Sequence, residues 1–128
     1  YMQSTNSKKL CGKKYERFSR KILIQKGFEI CATNYIGRFA EIDLIATKDN
    51  CLYFFEVKYR SIDHLDVLEH YLNTQYQKFK KQVKYYCCLN GTGFKAVSCY
   101  LFLYSKVAKN RVKLYCYKLP RCETLNLL

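Results

Sequence analysis

The chain has 128 residues, 49% of them hydrophobic, enough for one domain with its own core and too few for a second. Its 23 Lys and Arg outnumber 10 Asp and Glu, and the resulting charge of +13 points to a polyanionic partner, nucleic acid foremost. No apolar run approaches the roughly 18–20 residues of a membrane span. The basic start "YMQSTNSKKLCGKK" also lacks a signal peptide's apolar stretch, so a cytoplasmic protein with no membrane partner is expected.

Residues 8–26 read as a helix, with Tyr15, Phe18, Ile22 and Gln25 as its apolar stripe and Gly27 as its stop. "FEICATN" (28–34) follows as a strand, and residues 38–47 and 51–59 form a hairpin. The mixed segment "SIDHLDVLEHYLNT" leads into a second helix over 74–89, striped by Tyr76, Phe79, Val83 and Tyr86 and broken by "NGTG". "FKAVSCYLFLYSK" and "RVKLYCYKL" are two further strands around the turn "AKN". A basic lead (1–7) and a tail from Pro120 onward are expected to be loose. The order αβββαββ is that of a single α/β domain.

The eight cysteines include no C-x-x-C pair, and the chain can bury a core without staples, so reduced packing residues are expected rather than a disulfide framework or a zinc site. Cys31, Cys51, Cys99 and Cys116 fall in strand-like runs, where cysteine acts as a small hydrophobe.

The hairpin carries an anomaly. A two-residue turn at Asp49 and Asn50, both tolerant of positive φ, pairs Lys48 with Cys51. Continued antiparallel, that register sets Asp43 opposite Glu56 and Glu41 opposite Lys58, all four on one face. Opposed residues have Cβ atoms ~4.5–5.5 Å apart, and like charges there destabilise a sheet. A divalent cation between Asp43 and Glu56 would remove the conflict, with Mg²⁺ (or Mn²⁺) the natural candidate. Lys58 beside it could neutralise a phosphate or orient a water. A plain salt bridge from Lys58 to Glu41 or Glu56 accounts for the spacing equally well. On the first helix Glu16 lies in line with Ser19 and Leu23, leaning toward the sheet, unless it pairs with Arg20 one turn on.

A strand carboxylate followed by Glu-x-Lys in the next strand is the signature of the PD-(D/E)XK nucleases. The longer stretch "NYIGRFAEIDLIATKDNCLYFFEVKYR" resembles the bacterial YraN-like family, whose pattern runs Asn, spacer, Gly-Glu-Ile-Asp-Leu-Ile, turn, Glu-Val-Lys-x-Arg. "YERFSRKILIQKGFEICATN" fits that family's first helix and strand, and the likeness covers about residues 12–90. It implies a restriction-endonuclease-like fold, a central mixed β-sheet flanked by helices, distantly similar to archaeal Holliday-junction resolvases. Carried over by position, Asp43, Glu56, Glu16 and the backbone carbonyl of Val57 would hold the metal. Lys58 would be the catalytic lysine, and Glu41 would match a second catalytic position. Ala40 and Tyr15 replace glycines of the pattern, and Leu101 stands where the family tends to carry an aspartate.

Nucleic acid would lie along the second helix, where Lys78 and Lys81 share one line and Lys80 and Lys84 the next. The resemblance adds Gln75 and Gln77 at the start of that helix, and Arg60 of the matched Glu-Val-Lys-x-Arg. His64 and His70 show no metal-ligand spacing. The expected function is metal-dependent endonucleolytic hydrolysis of DNA, rather than RNA, with branched or structured substrates suited to a symmetric homodimer. The alternative is a non-catalytic nucleic-acid-binding protein of the same fold. Opposed carboxylates favour the first, because a binding module has no need of them.

Overall fold

The computed structural model describes residues 2–61, 63–90 and 93–120, with side chains from Gly12 onward. The tail after Pro120, Gly91 and Thr92 of "NGTG", and the side chains of Cys11 and Cys122 lie outside the described residues.

Helix α1 (Met2–Gln25) begins before the expected residue 8 and ends at the expected glycine. Gly27 takes φ +92°, a conformation that costs a side-chain-bearing residue free energy. Its N–H donates to Ile24 O (3.0 Å) while Phe28 N donates to Leu23 O (2.9 Å), a Schellman stop. The buried line of α1 is not the expected one. Tyr15, Ser19 and Leu23 face the sheet, whereas Phe18 is 44% exposed and Gln25 lies in solvent. Ser19 was the hidden member of the stripe: its hydroxyl bonds Tyr15 O (2.7 Å) and shares a hydrogen bond with Tyr104 (2.8 Å), so the buried polar group is satisfied. Tyr15, in the place of a family glycine, stacks on Tyr59 with ring centroids 4.8 Å apart.

Strands β1 (Glu29–Ile36), β2 (Glu41–Lys48) and β3 (Cys51–Arg60) run antiparallel in sequence. The tight turn has Asp49 and Asn50 at φ 51° and 64°, and the register Lys48↔Cys51 continues to Leu44↔Phe55 as expected. Strand β4 (Ala96–Ala108) then pairs parallel with β3, and β5 (Arg111–Lys118) antiparallel with β4, giving a five-stranded mixed sheet in order β1-β2-β3-β4-β5.

A parallel neighbour requires a crossover, and here it is helical. The segment expected to be mixed is helix α2 (His64–Thr74), followed after Gln75 by α3 (Tyr76–Asn90). The order is therefore αβββααββ. Asp63 caps α2, its carboxylate accepting from Leu65 N (2.8 Å) and Asp66 N (3.3 Å). Val67 and Tyr71 are buried one turn apart, with Leu68 and Leu72 packed beside them, a helical spacing masked by the charged residues between.

Two cores result. On one face α1 covers Leu44, Ala46, Phe55 and Phe102 through Leu23. On the other, α2 and α3 cover Ile45, Leu52, Phe54 and Leu101 through Tyr71, Phe79 and Val83. Ile42 joins the second core although Leu44, two residues on, belongs to the first. The described cysteines are thiols, not disulfides; Cys87 and Cys99 are buried, but Cys31 and Cys116 are exposed rather than packed. No described helix is long and apolar enough to cross a membrane.

Candidate functional site

The β2–β3 ladder stops one step before Asp43 would meet Glu56. In the hairpin's alternation Val57 should exchange hydrogen bonds with Ile42. Instead Val57 N donates to the Asp43 carboxylate (Oδ2, 2.8 Å). The side chain of Asp43 thus takes the place of a backbone carbonyl, and the strands part around it. The same alternation turns the Val57 C=O toward the gap.

Glu56 stands beside Asp43 and is only 8% exposed. Burial pushes its carboxyl well above the ordinary range, and the charge of Asp43 and hydrogen bonding between the two carboxyls push it further. Lys58 opposes this with an ion pair to Glu56 Oε2 at 3.8 Å, while Glu41 adds to the negative potential. One of the two pairings left open by the sequence, Lys58 with Glu56, is therefore present. It does not account for the whole site: one ammonium faces several carboxylates, and 3.8 Å is beyond hydrogen-bond length. Glu16 reaches the same centre from α1. Its carboxyl is raised chiefly by burial and then by Asp43, lowered by hydrogen bonding from Asn34, raised by Glu41, and lowered least by Arg20. Arg20, the expected helical partner, is thus its weakest influence.

A cavity of about 290 Å³ opens on this centre, walled by Ala40, Glu41 and Glu56 on the strand side and by Gln75, Lys78 and Phe79 on the helix side. Of the basic residues expected on the helix, Lys78 alone lines it. Lys81 lies over the Phe39 ring at 4.7 Å, beside the cavity wall, and Lys80 packs over Tyr76. Lys84 and Gln77 are exposed and do not line it, and Arg60 lies two residues beyond Lys58 in a second, smaller cavity.

Residues 15–113 match the uncharacterised protein family UPF0102. The chain belongs to UPF0102. A UPF0102 protein of Campylobacter fetus is 40% identical over 77 residues, 60% of this chain and 68% of its own length. One from Campylobacter jejuni is 39% identical over 71 residues, 56% of this chain and 62% of that protein. One from Vibrio parahaemolyticus is 41% identical over 58 residues, 45% and 48% of the two chains.

In this UPF0102 chain three site residues carried no role in the sequence reading. Asn34 sits at φ 49°, where asparagine is among the few tolerated residues, and its side chain faces Glu16. Gln82, fully buried on α3 between Phe79 and Val83, accepts from Phe39 N (2.6 Å) and Ala40 N (3.3 Å), pinning the loop that leads into Glu41. A Cβ on Gly37 would overlap its carboxamide. A glutamine on an apolar stripe was the available signal. Tyr71 is 1% exposed, its hydroxyl has no hydrogen-bond partner among the described residues, and Lys58 Nζ lies 6.0 Å above its ring. Burial first, and then Glu56, drives its phenol far above its ordinary value.

The donor set suits a small divalent cation. Two hard carboxylates lie together, one driven toward its neutral form by burial and by the other's charge, and such ions take one or two carboxylates with water or phosphate completing the shell. Glu16, turned to Asn34, does not complete a triad: among the described residues no three of His, Cys, Asp and Glu stand close enough to hold a metal ion.

Proposed function

We propose that the protein is a metal-dependent endonuclease of the PD-(D/E)XK type that hydrolyses phosphodiesters in DNA, with branched or structured DNA as substrate. The observation that carries this reading is the Asp43–Glu56 pair at the point where the ladder opens, its mutual charge only partly offset by Lys58. A structural salt bridge needs neither the second carboxylate nor the break in pairing.

Asp43 and Glu56, with the Val57 carbonyl, would hold Mg²⁺ or Mn²⁺, which when bound supplies charge neutralisation at the scissile phosphate and a more acidic water. Lys58, loosely tied to Glu56, is placed to move its ammonium onto a phosphate oxygen or to orient the attacking water. Glu41, exposed at the cavity mouth, is the carboxylate best placed to exchange protons with solvent. Glu16 adds negative potential from α1, and Asn34 keeps it oriented. Lys78 and Gln75, across the cavity, would contact the flanking backbone, with Lys81 and the outer Lys80 and Lys84 extending the basic track.

A second reading, a nucleic-acid-binding module without turnover, is favoured by one observation, the lack of a three-residue metal cluster among the described residues. Incubating the protein with branched, flapped, single- and double-stranded DNA in Mg²⁺ or Mn²⁺ separates the two. Cleavage of a structured substrate is expected. Salt-sensitive binding with no cleavage of any substrate would leave the binding module.

A further inference from the structure

The turn between β1 and β2 stands at the edge of the acidic cavity and is fixed from two directions. Gly37 N donates to Ala40 O (3.1 Å), which closes the turn. From α3, Gln82 Oε1 accepts from Phe39 N (2.6 Å) and Ala40 N (3.3 Å). The backbone at the tip is therefore pre-organised, and the side chains it carries have a rigid support.

Those side chains are apolar and basic, beside carboxylates. Phe39 lines the cavity together with Glu41 and Glu56 and is only half-buried, so its ring can be reached from the cavity. Ile36 pairs with Glu41 across the hairpin and so shares its face. It is 83% exposed, the most of any large apolar residue among those described. Cations gather at the Phe39 ring. Lys81 Nζ lies 4.7 Å from its centroid, and the Arg38 guanidinium lies 5.5 Å from it and 6.0 Å from that of Tyr85. Tyr85 meets Phe39 edge-on, with centroids 5.5 Å apart. Lys78 lines the cavity one helical turn before Lys81. None of these three cations has an ion pair among the described residues.

A phosphate backbone accounts for the cations but not for an accessible ring and an exposed isoleucine next to them. In a continuous duplex the flat faces of the bases are stacked away, and a protein meets only groove edges and phosphates. An unpaired base offers its π-face to an aromatic side chain, while its phosphates meet the Lys and Arg around it. Resting on the nucleic-acid reading above, we propose that Phe39 is a stacking platform for one unpaired nucleobase next to the phosphate at Asp43 and Glu56. Arg38, Lys78 and Lys81 then hold the flanking phosphates. Phe39 is two residues from Glu41, at most ~7 Å of chain, so ring and carboxylate engage adjacent parts of one strand. The preferred substrate is a strand unpaired at the cut, as in a flap, a bubble or a junction.

The test is fluorescence anisotropy of the full chain in EDTA, which prevents cleavage. The three DNA probes have equal length and charge: a continuous duplex, the same duplex with a central mismatched run, and that duplex with the run made abasic. The mismatched probe should bind about tenfold tighter than the other two, the gain expected for one base stacked on an aromatic ring. Phe39→Leu keeps an apolar side chain on the turn but loses the flat ring, and should bring the mismatched probe down to the level of the duplex. Phe39→Trp should keep or enlarge the preference. Equal binding of the mismatched probe and the continuous duplex would overturn the platform and leave the nucleic-acid reading standing. So would a preference shared by the abasic probe, or one that survives Phe39→Leu. Binding of none of the probes would overturn both.

Discussion

Asp43→Asn tests the site at its most strained point. Asp43 accepts from Val57 N at 2.8 Å while its charge and that of Glu56 oppose each other in a buried gap. Asparagine keeps an oxygen for Val57 and turns an amide donor toward Glu56, so a hydrogen bond that in the wild type requires a protonated carboxyl is made to ionised Glu56 as well. Like charges opposed on a sheet cost up to ~1 kcal/mol, and a buried pair lies at the upper end. For a chain of this size ~1 kcal/mol is about 4 °C in melting temperature. In EDTA at pH 8 the variant should therefore melt about 4 °C above the wild type, although it should no longer cleave DNA.

The gain should depend on pH with a defined sign. Glu56 has a folded pKa raised above its ordinary 4.5, so between those two values the native state holds more protons than the unfolded chain. The associated stability is fully present below pH 4.5 and is lost as pH rises through the raised folded pKa. Wild-type stability in EDTA should thus decline across that window, and the decline should be shallower in Asp43→Asn. Mn²⁺ at ~100 times its dissociation constant should add ~2.7 kcal/mol to the wild type and little to the variant. Circular-dichroism melts at pH 5 and pH 8, with EDTA or Mn²⁺, measure all of this. An Asp43→Asn protein that melts below the wild type at pH 8 in EDTA would refute the charge-conflict argument.

Lys58→Ala should stop cleavage yet keep the Mn²⁺-induced rise in melting temperature; loss of that rise would make Lys58 part of the metal site rather than a partner of the phosphate. Binding to duplex DNA should weaken with salt at a log–log slope of about −5 if roughly six counterions are released, and Lys78→Ala should make it shallower by about one unit. Salt-independent binding would refute a basic face that tracks phosphates. Gly37→Ala should push the Gln82 carboxamide off the Phe39 and Ala40 amides and cost ~1–3 kcal/mol, read in a urea melt. An unchanged midpoint would show that the loop before Glu41 does not depend on this contact.

Local chemistry in the sequence was sufficient for the hairpin. Asp49 and Asn50 accept positive φ, a two-residue turn sets the register, and the register runs as far as Leu44↔Phe55, one step short of Asp43 and Glu56, without any long-range information. Gly27 likewise marks the end of α1, because a left-handed residue is needed there and glycine adopts it at least cost. What escaped depended on partners distant in the chain. Ser19 is a core residue because Tyr104, 85 positions away, gives its hydroxyl a hydrogen-bond partner. Helix α2 gains its stability from the sheet that Val67 and Tyr71 cover, which its charged sequence does not advertise. Gln82 stands on the apolar side of its helix, but only the folded chain brings Gly37, which leaves room for its carboxamide. The parting of β2 from β3 is the clearest case: spacing put two carboxylates opposite each other, but only the folded sheet could decide that one of them would take the Val57 N–H in place of a backbone carbonyl.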